Sequence, residues 1–195
     1  MAFLPEGYKA PEKPSTYWNK WKQGQNKFRA LGSAIAGWEW WVNEADGSRK
    51  PVRVKTIAEV PNDKLGKGED KAKFFWKFPA WNYSAEQIQI LDIKQRSIQE
   101  DLEENYINNP AWGDLTQYDV IINRKGETLT DTKYTVTALP HRPIDSDITE
   151  KYKTLHINMQ AFYVGEDPFT SNATANEQVV SPVDFDDISD PEFAK

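Results

Sequence analysis

Gly37-Trp38-Glu39-Trp40-Trp41 places three indoles within four consecutive residues of an otherwise polar chain. In an extended strand, side chains alternate across the pleat, so Trp38 and Trp40 share one face while Trp41 points to the other. Both faces of such a strand are aromatic, and only one can line the interior of a small barrel or a one-sided sheet. What the other face meets depends on the neighbouring segments.

Moving outward, Ile35 to Val42 reads as a strand, Asp46-Gly47 as a turn, and Val52-Arg-Val-Lys-Thr-Ile57 alternates again, which together predict a hairpin. Upstream, Asn26-Lys-Phe-Arg-Ala-Leu31 alternates in the same manner. Downstream, a polar loop from Pro61 to Lys71 leads into Lys73-Phe-Phe-Trp-Lys-Phe78, whose return partner is Gln87 to Ile93. Ser97-Ile-Gln-Glu100 has capping-box spacing, and Ile98, Leu102 and Tyr106 follow on one face, predicting a helix of about three turns that stops at Asn108-Asn-Pro110. Two more strands, Tyr118 to Asn123 and Thr132 to Ala138, come next, and Ile148 to Phe162 reads as a second helix or an extended cover. Strands, one short helix between the third and fourth, then strands again is the order of an OB-fold, a small Greek-key β-barrel. Trp18, Trp21 and Trp112 read as lids over the ends of its core.

One domain is expected at this length, and with 8 Trp, 9 Phe and 8 Tyr it can bury enough area despite a hydrophobic share of 38%. The expected division is an extended arm over 1–16, the domain over 17–165 and an acidic flexible tail over 166–195. The net charge of -6 conceals an asymmetry. Lys9 to Phe78 holds 15 Lys and Arg against 8 Asp and Glu, a net of +7, whereas Glu166 to Lys195 holds eight acidic residues against one basic, a net of -7. A basic half joined to an acidic tail points to nucleic acid. The N-terminus lacks a basic region followed by an apolar run and no segment is apolar enough to span a membrane, so a cytoplasmic location is expected.

Catalytic patterns are missing: the chain has no Cys nucleophile, no P-loop and no dinucleotide fingerprint. Without Cys and with only His141 and His156, a zinc site is not expected, and Asp184-Phe-Asp-Asp187 lacks the glycine turn of a calcium loop. No enzyme activity, metal or cofactor is expected. The remaining chemistry is binding by cations and rings. Single strands expose both phosphates and base faces, and a sequence-tolerant binder meets them with a basic groove and stacking aromatics. Alternation sets Lys73, Phe75 and Lys77 opposite Phe74, Trp76 and Phe78; Lys27 and Arg29 alternate with Phe28 and Ala30; Arg53 and Lys55 alternate with Val52 and Val54. Lys and Arg also decorate strands for solubility alone, but three basic faces in one half, with spare rings, favour a groove.

In their order, Asn26 to Leu31 with Gly37-Trp38, the Phe75-Trp76-Lys-Phe78 strand, Trp112-Gly-Asp114 before Tyr118-Asp-Val-Ile-Ile-Asn-Arg124-Lys-Gly126, and Thr132-Lys-Tyr134-Thr-Val136 resemble phage-encoded single-stranded-DNA-binding proteins of the OB-fold type. The resemblance implies a replication or recombination accessory that coats single strands, acts in the host cytoplasm and recruits enzymes through its tail. On this reading Lys27, Arg29, Arg53, Lys55, Lys73 and Lys77 neutralise phosphates, Trp38, Trp40, Phe75 and Tyr83 stack on bases, and Asp186, Asp187, Ile188, Asp190 and Phe193 dock on partner proteins or compete for the groove. The rival readings are a carbohydrate-binding module with Trp and Tyr platforms, or a phage structural or assembly protein.

Overall fold

The computed structural model describes residues 15–128 and 131–169. Eight strands form one mixed, open sheet: β1 (Tyr17–Trp18), β2 (Gly24–Ala30), β3 (Ile35–Asn43), β4 (Arg49–Val54), β5 (Lys73–Asn82), β6 (Gln87–Ile93), β7 (Asp119–Lys125) and β8 (Lys133–Ala138). Three short helices accompany them: α1 (Arg96–Leu102), α2 (Ser146–Thr154) and α3 (Ala161–Val164). No helix among the described residues is long and apolar enough to cross a membrane.

The long strand β5 organises the sheet. One of its edges pairs with β6, and β3 and β2 follow one another along the other, with Ile35 opposite Lys77 and Ala30 opposite Ala80. Five steps of the β2–β3 line therefore match three of β5. The surplus residues bulge out and bend the sheet, as bulges do. Beyond β5 the line continues as the β3–β4 hairpin, in which Trp41 faces Pro51 and the turn closes through Gly47 at a φ of 82°. β7 returns antiparallel beside β2, β8 follows β7, and β1 lies parallel to β6.

Alternation explains what each face buries. Phe28, Trp76, Phe78, Leu91, Ile93, Val120, Ile122 and Val136 point inward and meet Ile98 and Leu102 of α1, with Trp18 and Trp21 completing this main core and Trp112 packing against it. Helix α1 begins earlier than its sequence signal. Gln95 precedes it without a capping side-chain bond, and Glu100 pairs with Arg96 at 2.9 Å instead of closing a box with Ser97. A π-turn, Glu103–Ile107, continues it. This unit caps the free edge of β8: the Asp101 carboxylate accepts from the Val136 amide at 3.2 Å, and the Tyr106 hydroxyl donates to the Val136 carbonyl at 3.3 Å. The sheet ends there without closing on itself.

The opposite, outer face is also covered. Phe75 and Ile90, both fully buried, pack with Ile35 and with Phe162 of α3, and Ile157, Met159, Tyr163 and Phe169 close over them. The described residues on this face extend to Phe169. Residues 170–195 lie outside the described part of the chain, including the tail positions Asp186, Asp187, Ile188, Asp190 and Phe193, as does most of the N-terminal arm.

Candidate nucleic-acid interface

Register divides the aromatic stretch. Gly37 stands opposite Phe75 and therefore on the outer face, while Trp38 stands opposite Phe74 on the inner face. Trp38 meets the Phe74 ring at 5.4 Å, and Trp40, 6% exposed, packs with Val60 and Ala72 from the loop between β4 and β5. Trp41 is the indole that remains open, 44% exposed on the outer face, with Arg49 5.9 Å from its ring centre. Trp38 and Trp40 are therefore not brought together with Phe75, Lys73 and Lys77. One residue of parity puts them on the other side of the sheet.

Two ionic clusters occupy the outer face. In the first, Glu39 of β3 receives Arg53 of β4 at 2.6 Å, Lys94 beyond β6, and Lys77 of β5 at 3.5 Å. Asp92 of β6 binds Lys77 and lies 3.3 Å from Lys94. Burial alone would raise the Glu39 carboxyl, but the charges of Lys77, Lys94 and Arg53 overcome it and hold the group at about 2. Burial pulls Lys77 below its ordinary value despite both carboxylates. Lys94, less enclosed, is pushed up by the same two carboxylates. Phe162 lies over this cluster, and its carbonyl accepts from Arg53 at 3.3 Å.

The second cluster is centred on Asp119, fully buried at the start of β7. Its carboxylate accepts from Arg29 Nε at 2.7 Å, Tyr83 Oη at 2.9 Å and Arg142 Nε at 3.0 Å, and pairs with Lys27 at 2.9 Å. Burial opposes ionisation here as well, but bonds from Lys27 and Tyr83 and the Arg29 charge hold the carboxyl below its usual range. Lys27 and Arg142 sit 4.2 and 5.8 Å from the Tyr83 ring centre, one of the half-exposed rings.

The residues expected to bind thus fall into distinct settings. Arg29, Phe75, Lys77 and Trp40 are enclosed; Arg53 and Lys27 are engaged in ion pairs; Tyr83 is half-buried; Lys55, 5.1 Å from the Tyr163 ring centre, and Lys73 are exposed. A strand-facing surface can draw directly on Lys27, Tyr83, Arg53, Lys55 and Lys73. Trp41, Arg49, Lys94 and Arg142 join it without having been singled out. Parity separates Trp41 from Trp38 and Trp40, and the pairing of Gly37 with Phe75 then sets it on the outer face. Arg142 follows β8 in an irregular segment, where no periodicity marks its direction. Across both clusters, six cations (Lys27, Arg29, Arg53, Lys77, Lys94, Arg142) converge on three carboxylates (Glu39, Asp92, Asp119). The arrangement is a cation-rich sheet surface with the exposed Trp41 ring at one end and the half-buried Tyr83 ring at the other.

No protein-family model matches the chain, and neither a curated protein nor a solved structure matches it.

Proposed function

We propose that the protein binds single-stranded DNA without sequence preference, using the two parts of the outer sheet face that residues 146–169 leave open, the β3–β4 hairpin and the Asp119 cluster. The observation that carries this reading is the meeting of cations and accessible rings: six cations are held in the two clusters, Arg49 lies near the exposed Trp41 ring, and Lys27 and Arg142 lie near the half-buried Tyr83 ring. Phosphates meet the cations and bases stack on the rings, the combination that a sequence-tolerant single-strand binder uses.

The OB-type reading fits the same topology. The bent β2–β3 line would be the first strand, β5 and β6 the second and third, α1 the intervening helix, and β7 and β8 the fourth and fifth. The β3–β4 hairpin then belongs to the excursion between the first two strands, a region with which OB-folds grip oligonucleotides. In this scheme the acidic tail recruits replication or recombination enzymes in a phage setting, and its carboxylates compete with the strand for the cations.

The test is a fluorescence titration with a mixed-sequence single-stranded oligonucleotide at low and moderate salt, with duplex DNA as control and Trp41→Phe to assign the quenching. Saturable quenching that prefers the single strand, weakens with salt as counterions are released and fades in the variant supports the reading. Affinity indifferent to salt refutes it and favours stacking on a neutral ligand such as a sugar.

A further inference from the structure

At the edge of the Asp119 cluster a cavity of about 380 Å³ opens between Arg29, Thr116, Gln117, His141, Arg142 and Ile144. Arg29, 1% exposed, supplies a cation to its wall. Nε donates to Asp119, and Nη1 donates to the carbonyls of Thr116 at 3.2 Å and Arg142 at 3.1 Å. Nη2 is buried without a hydrogen-bond partner among the described residues. A guanidinium offers five N–H donors in a planar fork, and leaving two of them unmet in the interior is unfavourable. Arg142 stands on the same wall, tied to Asp119 and to the Tyr83 hydroxyl at 2.7 Å. The His141 ring is stacked on Tyr118, with centroids 5.3 Å apart and planes 11° apart, and also touches Trp112. Locally, three cations (Lys27, Arg29, Arg142) face one carboxylate.

We propose that this cavity is a phosphate subsite, in which an oxyanion accepts from Arg142 at the rim and is held by the charge of the Arg29 guanidinium in the wall behind it. A tetrahedral oxyanion offers several acceptors to a guanidinium, which is the geometry arginine forks suit. The occupant is a phosphate of the bound strand, an assignment that rests on the nucleic-acid reading above. The anion chemistry of the cavity does not.

The test uses the full chain with labelled arginine side chains and follows the guanidinium N–H signals of Arg29 and Arg142 by NMR. Inorganic phosphate, added at constant ionic strength against chloride, is expected to shift both signals to saturation. Gln117→Glu changes only an exposed side chain on the cavity wall and is expected to weaken that response roughly fourfold or more, since a unit charge a few ångströms away costs about that much even in water. Absence of a phosphate-specific shift, or an unchanged response in the Gln117→Glu variant, overturns the subsite whether or not oligonucleotides bind. The strand arm compares oligonucleotides with 5′-hydroxyl and 5′-phosphate ends. Movement of Arg29 with either end supports an internal phosphate, and movement with the phosphorylated end alone supports a terminal one. Oligonucleotide binding that leaves Arg29 unmoved overturns the strand assignment. Saturation by phosphate with no oligonucleotide binding keeps the anion site and rejects the proposed function instead.

Discussion

Replacing Glu39 by Gln preserves the shape of a side chain that is almost completely buried and removes the charge on which Arg53, Lys77 and Lys94 converge. The carboxyl is held at about 2 against an ordinary value of 4.5. Each unit of that difference corresponds to about 1.4 kcal/mol, so ionised Glu39 contributes on the order of 3 kcal/mol to folding at pH 7. Because the folded-state value lies below the unfolded one, the contribution is present in full above about pH 4.5 and is lost as pH falls towards 2. At pH 3 roughly half of it should remain. Urea unfolding of wild type and Glu39→Gln, followed by tryptophan fluorescence, is therefore expected to show a gap of about 3 kcal/mol at pH 7 that shrinks by roughly half at pH 3. A gap below about 1 kcal/mol at pH 7, the size of an exposed pair, or one that does not shrink on acidification, refutes the reasoning. The same variant removes one negative charge from beside Arg53, Lys77 and Lys94. Affinity for a single strand at low salt should rise while stability falls, and those opposite signs separate an electrostatic effect from general damage to the fold.

Trp41→Ala should lower single-strand affinity by about 1–3 kcal/mol, the range for one base-stacking ring, and should leave the unfolding midpoint nearly unchanged because the indole is half in solvent. Phe75→Ala should do the reverse in magnitude, costing about 3–5 kcal/mol of stability; a loss below 1 kcal/mol in urea would mean that Phe162 and its neighbours do not pack on it. A Cβ at Gly37 would lie 2.2 Å from the Val54 carbonyl oxygen, so Gly37→Ala must push β3 and β4 apart. Thermal unfolding should report a destabilisation of about 1–3 kcal/mol, and an unchanged midpoint would contradict the close approach. Removing residues 170–195 deletes six carboxylates and one lysine; binding should tighten at low salt and converge with that of the full chain at high salt, and equal affinity at both would exclude competition by the tail.

Much of the fold is legible in local chemistry. Alternation marks β2, β3, β5, β6, β7 and β8 because half of each strand meets the main core and the other half does not, and Asp46-Gly47 encodes the hairpin turn because glycine accepts the left-handed conformation there without strain. The start of α1 is less legible: Ser97 and Glu100 have capping spacing, but Arg96 competes for the same carboxylate and wins at an exposed i,i+4 position.

The basic and aromatic character of one half of the chain is a property of the sequence, and so is the fact that Trp41 must oppose Trp38 and Trp40 across a strand. Which face is which is decided only by pairing. Gly37 against Phe75 sends Trp41 outward, and a shift of one residue would exchange the two sets. Nor does alternation reveal that the carboxylates of Glu39, Asp92 and Asp119, from three strands far apart in the chain, meet the basic rows and neutralise half of their charge. It is equally silent on residues 146–169, which fold back over Phe75, Lys77 and Trp81 and turn a nominally solvent-facing row into a second core. Periodicity records that a residue has two sides to choose between; the partner that covers a side comes from elsewhere in the chain, and only tertiary contact assigns it.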